Sequence, residues 1–325
     1  EGSLANCTRP APNCLATITG ISLVNSVALE AISNMLVTTK NYRKEATCVW
    51  QGAQCPTTVT GYKDSTFVVG MLTEDMGGCG GARTFKDGVD FAGTLVNPWN
   101  RTPNIEFEEL HLPVLYLFHR LLKDSAGAGR FRGGLTTEFA ITAHDADDDR
   151  IGLVLYGTGT EFTRCLGFSG GLPGCNTGFA IYRGKEVNEG LHGEGFPLEL
   201  ETIGGSREPV IWGTHPLKKG EMLHGWFGGG GGYGDPLQRD SELVKLDVSD
   251  EKVSRKWAEK LYGVVLNQDL EVDVDQTRRL RRETAEKRLH GRTKKPAAGE
   301  RQTTKPARKS ELVNLSENLK AVKTQ

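Results

Sequence analysis

The stretch WFGGGGGYGDP, residues 226–236, places five glycines in succession after two aromatic residues. Such a run does not hold a helix or a central strand, because each glycine loses much backbone entropy and has no side chain to pack. It is typical of backbone that passes very close to another group, or that presents several N–H groups to an anion. It matches neither the P-loop pattern nor the strand–turn–helix context of a dinucleotide site. We therefore take Gly228, Gly229, Gly230, Gly231, Gly232 and Asp235 as a candidate anion or interface loop, with a packed glycine hairpin at a subunit contact as the alternative.

Glycine is also the outlier in composition, since the 325 residues include 41 glycines that are clustered rather than periodic. The clustering predicts tight turns and close backbone approaches instead of a collagen-like or disordered repeat. A formal net charge of −1 implies neither a nucleic acid nor a membrane as partner. No apolar run reaches the roughly 18 to 20 residues of a membrane span, and no secretory signal is visible. The sequence therefore predicts a soluble protein.

The cysteines are seven, an odd number in a long chain: Cys7, Cys14, Cys48, Cys55, Cys79, Cys165 and Cys175. A secreted disulfide scaffold normally shows an even, dense set. Cys7 and Cys14 form one pair in the sequence, and Cys48 and Cys55 form another. The spacing within each pair is wider than that of a structural zinc knuckle. We expect reduced, half-buried thiols and a cytoplasmic protein, with a metal or disulfide role for these pairs as the alternative.

Hydrophobic periodicity indicates where the helices and strands lie. Apolar residues recur at helical spacing over residues 21–37 and predict a helix. Short apolar runs predict strands over residues 67–72, 110–120 (a buried strand), 139–143, 151–156, 179–182 and 210–212. A second helix is predicted over residues 251–262, capped by Ser249 or Asp250. The expected fold class is α+β, with a β-rich central region and a helix near each end.

The C-terminal segment differs from the rest of the chain. Residues 281–325 hold 13 Lys or Arg and 5 Asp or Glu, a net charge of +8. Low apolar content together with Pro296 and Pro306 predicts an extended or partly helical arm. Nucleic acid is disfavoured as its partner, because no aromatic side chain accompanies the basic ones. We expect a domain over residues 1–280 and a basic tail over residues 281–325 that wraps an acidic sister subunit.

Two further segments carry candidate catalytic residues. In DSAGAGRFRGG, residues 124–134, Arg130 and Arg132 lie among glycines whose N–H groups could join a guanidinium around a phosphate or carboxylate. Glu106 and Glu109 could bind a cation or act as a base, or could pair with Arg101 at the surface. No G-x-S-x-G elbow and no H-E-x-x-H motif is present, so neither a self-contained nucleophilic triad nor a zinc hydrolase is indicated.

Four segments, taken in order, resemble the family of hydantoinase B, 5-oxoprolinase and the acetone carboxylase α subunit. Residues 1–4 resemble a P-E-G-S-L-L-N-P stretch of the family, and residues 100–113 resemble its NTPxExxE region. Residues 124–134 resemble its D-S-G-G-A-G-R-Y-R-G-G block. GGGGGYGDP (residues 228–236) together with LYGVVL (residues 261–266) resembles its closing motif. The resemblance covers residues 1–267 and only the C-terminal half of the family's usual chain. The family's N-terminal metal-ligand segment is absent from these residues, so either it lies on a separate subunit or the chain was cut. Leu95 stands in place of a frequent family histidine.

The resemblance implies one subunit of a hetero-oligomeric complex, nearer the ketone carboxylases than the amidohydrolases. The implied reaction is the ATP-dependent carboxylation of acetophenone by bicarbonate to benzoylacetate, through phosphorylated intermediates. The implied partners are an N-terminal-half hydantoinase B-like subunit and an actin-like, hydantoinase A-like ATPase; ATP with Mg²⁺, and a possible divalent metal, would lie on partners. The alternatives are a subunit of an ATP-dependent hydantoinase or 5-oxoprolinase-type amidohydrolase, or a non-catalytic scaffold. The surface that packs against the missing half is expected to be apolar.

Overall fold

The computed structural model describes residues 16–50, 57–72, 78–95, 97–98, 104–192, 200, 203–211 and 213–293. The chain divides into one compact unit, Glu1–Arg281, and a second, Arg282–Gln325. The expectations for the N-terminal loop, for Cys7, Cys14, Cys55 and Arg101, and for the tail beyond residue 293 lie outside the described residues. Within the described part, no helix combines the length and apolar character needed to cross a membrane.

The first unit is built around β-strands that pair in an antiparallel manner. The strands are β1 (Thr57–Lys63), β2 (Thr66–Leu72), β3 (Gly93–Thr94), β4 (Asn97–Pro98), β5 (Val114–Leu121), β6 (Thr137–Ala143), β7 (Arg150–Leu155), β8 (Gly178–Arg183), β9 (Ser206–Val210), β10 (Gly213–Lys218) and β11 (Met222–Trp226). One sheet has the order β10-β7-β1-β2, and a second has the order β5-β6-β11-β8-β9. Strands β3 and β4 form a separate two-stranded ribbon.

The two larger sheets share one hydrophobic core. Side chains from alternate positions of both sheets form a single cluster, because successive residues of a strand point to opposite faces. The four-stranded sheet contributes Val59, Leu72, Ile151, Leu153, Leu155 and Leu217, and the five-stranded sheet contributes Val114, Phe139, Ile141, Phe179, Ile181 and Leu223. The arrangement is a β-sandwich, with each of these side chains buried.

The described helices are α1 (Ala16–Val37), α2 (Ile105–His111), α3 (Lys185–His192), α4 (Ser241–Ser249), α5 (Arg255–Tyr262) and α6 (Val274–Thr293). Helix α1 precedes the strands in the sequence, α2 and α3 lie between strands, and α4, α5 and α6 follow the last strand. Helix α5 begins where the Ser254 hydroxyl accepts the Trp257 N–H, and it ends at Gly263, whose φ of 62° is a left-handed conformation that favours glycine. Helices α4 and α5 enclose a second core cluster that contains Val244, Val253, Ala258 and Tyr262.

The predicted fold class is confirmed, and so are the helix over residues 21–37 and most of the predicted strands. Three details of the prediction are wrong. Of the strand predicted over residues 210–212, Val210 ends β9 and Ile211 lies outside it, because β10 begins at Gly213 as a separate strand. The helix predicted over residues 251–262 begins at Arg255 and is capped by Ser254, not by Ser249 or Asp250. The strand predicted over residues 110–120 starts at Val114 and is a half-buried edge strand, because residues 105–111 form helix α2 ahead of it.

Candidate functional site

The glycine run of residues 228–232 is buried, and from Gly229 onward its N–H groups are bonded to neighbouring backbone. The N–H groups of residues 229–234 each donate to a backbone carbonyl of a neighbouring segment. Residues that are three positions apart donate on the same side of the run. Gly229 and Gly232 donate to Cys175 and Leu172, Gly230 and Tyr233 to Gly134 and Phe131, and Gly231 and Gly234 to Val49 and Phe168, at 2.9 to 3.2 Å. A three-residue repeat is the geometry of a polyproline II-type chain, which makes all its hydrogen bonds laterally.

The neighbouring backbone leaves no room for a side chain on this run. A Cβ on Gly229, Gly230, Gly231 or Gly232 would lie under 3.0 Å from a backbone carbonyl oxygen of another segment. We refer to the run together with its lateral neighbours, residues 80–82, 125–134 and 165–175, as the glycine assembly. Because its N–H groups are already bonded, these contacts favour the packed interpretation of the run over the anion-binding one. Asp235, also a candidate, accepts the Leu237 N–H at 3.0 Å and caps a short 3-10 turn.

A buried ionic network fixes the glycine assembly to helix α4. Asp247, on that helix, bridges two guanidinium groups: its Oδ1 lies 3.3 Å from Arg132 Nε, and its Oδ2 lies 2.7 Å from Arg239 Nη2. Arg239 also binds both carboxylate oxygens of Asp87, each at 2.7 Å. Arg132 completes the network through Asp90 at 3.0 Å. The side chains of Arg132, Arg239 and Asp247 are 5%, 1% and 7% exposed, so the network is largely shielded from water.

The pKa values follow from this mutual pairing. Burial raises the pKa of Asp87, but the hydrogen bonds and charge of Arg239, with help from Arg132, outweigh it, and the net pKa lies below the ordinary value. Burial lowers the pKa of Arg132, while Asp90 and Asp247 raise it further than burial lowers it. Arg132 is therefore charged and neutralised internally, which makes it a positioning residue rather than a free anion ligand.

Arg130, by contrast, is exposed beside the same assembly. Its guanidinium carbon lies 5.6 Å from the centre of the Phe131 ring, within the range of a cation–π contact. Its backbone N–H donates to the Gly234 carbonyl, which fixes the main chain from which the side chain projects at the surface of the glycine assembly. The structure thus separates the two predicted arginines into one that is internal and one that is available to a partner or ligand.

The predicted glutamates lie on helix α2, where they have different surroundings. Glu106 is exposed, whereas a carboxylate oxygen of Glu109 accepts the Tyr116 N–H at 2.8 Å. The buried acid of this helix is Glu108, which was not predicted and which accepts a short hydrogen bond from the Tyr116 hydroxyl. Helix α2 is held to strand β5 by these two contacts, so the role of Glu109 in the described structure is a tether.

A second buried polar group, not predicted from the sequence, lies on the five-stranded sheet. His224 Nε2 and Glu138 Oε2 are 2.8 Å apart, and Arg120 Nε donates to the other Glu138 oxygen at 2.7 Å. Burial raises the pKa of Glu138, but hydrogen bonds from His224 and Arg120 lower it more, and the net pKa is below the ordinary value. The rings of Phe118 and Trp226 lie 6.1 and 5.0 Å from the His224 ring. Both residues lie on the face of the sheet opposite the shared core, beside Ala140 and Met222. The available signal was a Glu and a His within otherwise apolar strands.

The described cysteines are free thiols, and three donate hydrogen bonds to the glycine run or its flank. Cys48 Sγ lies 3.2 Å from the Gly232 carbonyl oxygen, and Cys79 Sγ lies 3.3 Å from that of Gly228. Cys175 Sγ contacts the Phe227 carbonyl oxygen at 3.2 Å. Burial raises the pKa of Cys48 and of Cys175 to about 12, which keeps both protonated as donors. Among the described residues, His, Cys, Asp and Glu form no group of three that could hold a metal ion.

Comparison with known proteins places this arrangement in a family. A model of the hydantoinase B/oxoprolinase family matches residues 1–236. The chain is 33% identical over 214 residues to the acetophenone carboxylase delta subunit of Aromatoleum aromaticum, covering 62% of this chain and 31% of the relative. It is 26% identical over 278 residues to caprolactamase subunit beta of Pseudomonas jessenii, covering 84% and 43%.

The fold has also been seen in solved structures. The nucleotide-free structure of acetone carboxylase superposes with a TM-score of 0.69 at 22% identity, over 88% of this chain and 38% of the other. At this identity the likeness shows the fold alone. The chain spans less than half the length of each of these relatives.

Proposed function

The chain belongs to the hydantoinase B/oxoprolinase family, and we propose that it is a subunit of an ATP-dependent ketone carboxylase complex. The proposed reaction joins acetophenone to bicarbonate and gives benzoylacetate, with formation of a carbon–carbon bond. The observation that carries this choice is the 33% identity to the acetophenone carboxylase delta subunit. The complex is proposed to be cytoplasmic, because free thiols such as those described here persist in a reducing compartment.

The proposal divides the work between subunits. ATP with Mg²⁺ is assigned to an actin-like partner of the hydantoinase A type, and a divalent metal, where one is needed, to an N-terminal-half hydantoinase B-like partner. Phosphorylated intermediates hydrolyse readily in water, so the part that joins the carbons must position anions and exclude solvent. In this chain the glycine assembly supplies a rigid backbone framework, and the ionic network of Arg132, Arg239 and Asp247 anchors it.

Arg130 is the proposed contact of this chain with an anionic intermediate or with a partner loop. It is exposed at the edge of the glycine assembly, and a guanidinium binds phosphate or carboxylate with two parallel hydrogen bonds. Glu106, also exposed, is proposed separately as a base or cation ligand. Glu109 and Arg132 support these residues from the positions described above.

A second candidate function is a subunit of an ATP-dependent amidohydrolase. It is favoured by the match to caprolactamase subunit beta, which extends over 84% of this chain, a longer span than the match to the carboxylase subunit. Both reactions activate a carbonyl group with ATP, and they differ in what attacks next. A carboxylase requires bicarbonate, whereas an amidohydrolase requires water.

The test uses the assembled complex purified through a tag on this chain. Acetophenone, acetone, caprolactam, hydantoin and 5-oxoproline are each supplied with ATP and Mg²⁺, with and without labelled bicarbonate. The proposal expects bicarbonate-dependent ATP hydrolysis with acetophenone, and label in a non-volatile β-keto acid. Hydrolysis of a lactam or hydantoin without bicarbonate would establish the amidohydrolase instead, and turnover of acetone in place of acetophenone would keep the reaction and change the ketone.

A further inference from the structure

The four-stranded sheet buries one face in the core and leaves the other open. On edge strand β2, the outward side chains Phe67, Val69 and Met71 are 57%, 60% and 48% exposed. Tyr62, beside them on β1, is 46% exposed, and its ring lies 5.2 Å from that of Phe67. An antiparallel sheet with one solvated face normally carries polar residues at its outward positions. Here the outward positions of the edge strand are apolar.

The open face continues across the sheet without charge at its centre. Thr58 pairs with both Met71 and Val154, and Val154 pairs with Thr214, so these four form one row of outward side chains. The next row consists of Val69, Thr60, Gly152 and Pro216. Neither row contains a charged residue. Strand β2 has a neighbour on one side only among the described strands, which leaves an apolar, unpaired edge of the kind that binds another chain.

We propose that this face binds the part of the hydantoinase B fold that the longer relatives carry outside the region matched here. This inference rests on the proposed function, because that function identifies the partner. Relatives hold the matched region within chains of which it is 31% to 43%, so a large remainder must pack somewhere against this fold. The Val69 and Met71 rows are uncharged and suit an apolar sheet or helix face of that remainder, because no charge in them is buried unpaired. Arg150 and Lys218, which pair on β7 and β10, border these rows at the Phe67 end of the face.

The size of the face argues against a second copy as its occupant. Four strands and about five residues of each give roughly 14 by 17 Å, or about 250 Å² in projection. A stable pair of free proteins buries about 800 Å² on each partner. This face alone therefore falls short of a homodimer interface, but it suffices as one portion of a wider contact with a segment that is held elsewhere as well.

The test co-expresses this chain with the complementary hydantoinase B segment encoded in the same genome. The variant carries Phe67→Lys, Val69→Lys and Met71→Lys, and the matched control carries Leu243→Lys and Leu246→Lys, which lie on helix α4 and are 42% and 55% exposed. Affinity is measured by titration calorimetry, and amide hydrogen exchange is followed in the unmodified chain. We expect the variant to bind roughly 100-fold or more weakly, the control to bind as the wild type does, and the β1 and β2 amides to be protected only in the complex.

Several results would overturn the proposal. These are equal binding by the triple variant, no protection of β2 in the wild-type complex, no binding of the segment at all, or self-association of this chain that the triple variant abolishes. Binding and hydrogen exchange do not depend on turnover. A complex that assembles through β2 but leaves acetophenone unchanged would therefore refute only the proposed reaction.

Discussion

Asp247→Asn is the sharpest test of how the glycine assembly is held in place. Asp247 is the one described carboxylate that contacts both buried guanidiniums, those of Arg132 and Arg239. The substitution keeps the volume of the side chain and removes its charge. Asparagine also places an N–H₂ group where one carboxylate oxygen stood, so at most one of the two arginines keeps an acceptor at residue 247.

The expected loss is large because the site is dry. The Asp247 side chain is 7% exposed and that of Arg239 is 1% exposed, so water does not replace the lost partner. Removal of one member of a buried ion pair typically destabilises a protein by about 3 to 5 kcal/mol. Asp87 and Asp90 still neutralise the two arginines from the other side. We therefore expect the free energy of unfolding to fall by an amount at the lower end of this range, about 3 kcal/mol.

The measurement is urea unfolding at pH 7 on the same assembled form for every variant. With a slope of about 3 kcal/mol per molar, the midpoint should fall by roughly 1 M. Asp250→Asn is the matched control: Asp250 ends the same helix, its side chain is 55% exposed, and its ion pair with Lys252 at 3.2 Å should contribute under about 0.5 kcal/mol. A loss below 1 kcal/mol for Asp247→Asn, or equal losses in both variants, would refute the anchoring role of the network.

Four further predictions follow from other parts of the structure. Gly231→Ala, whose Cβ would overlap a backbone carbonyl, should lower the thermal midpoint sharply or prevent folding, whereas Gly190→Ala, with open space around it in α3, should be neutral or slightly stabilising. Arg130→Lys should lower carboxylation roughly 10-fold or more while ATP hydrolysis continues; equal loss of both would indicate failed assembly. Truncation after Leu280 should weaken complex formation in a salt-sensitive manner and leave turnover per assembled complex unchanged; lost turnover in intact complexes would place the tail at the site. Because the pKa of Glu138 is depressed in the fold, its contribution to stability is present above about pH 4.3 and is lost as the pH falls further, so Glu138→Gln should flatten the acid side of a thermal-midpoint profile.

Much of the fold could be read from periodicity, and the omissions have physical causes. The buried strand β6 and helix α1 follow regular apolar patterns, and both were predicted. Strand β10 was not predicted, since Pro216 interrupts its pattern. Proline lacks the N–H that a central strand needs, but β10 is an edge strand, where proline is tolerated.

The site could be predicted only in part, because its partners are far apart in the sequence. Arg132 and Arg130 differ by two positions in one glycine-rich segment, and nothing local distinguishes the buried one from the exposed one. The difference arises from Asp247, 115 residues away, which pairs with Arg132 alone of the two. The three-residue hydrogen-bond repeat of the glycine run could not be predicted either. Five identical residues have no alternation of polar and apolar side chains from which a repeat could be recognised.

A framework of close-packed glycine backbone needs support from outside itself. Glycine loses the most conformational entropy on folding and buries no side chain in return, so a run of five is unfavourable by itself. The structure supplies lateral hydrogen bonds on every residue from 229 to 234, thiol donors such as Cys48 on its carbonyls, and the bridge through Asp247. What this support yields is a segment whose backbone cannot shift without breaking contacts on three sides. The backbone of Arg130, which donates to Gly234, is held by that segment, so its exposed side chain starts from a fixed Cα position. Under the proposed function, a fixed framework of this kind is what a residue that meets a reactive anion requires.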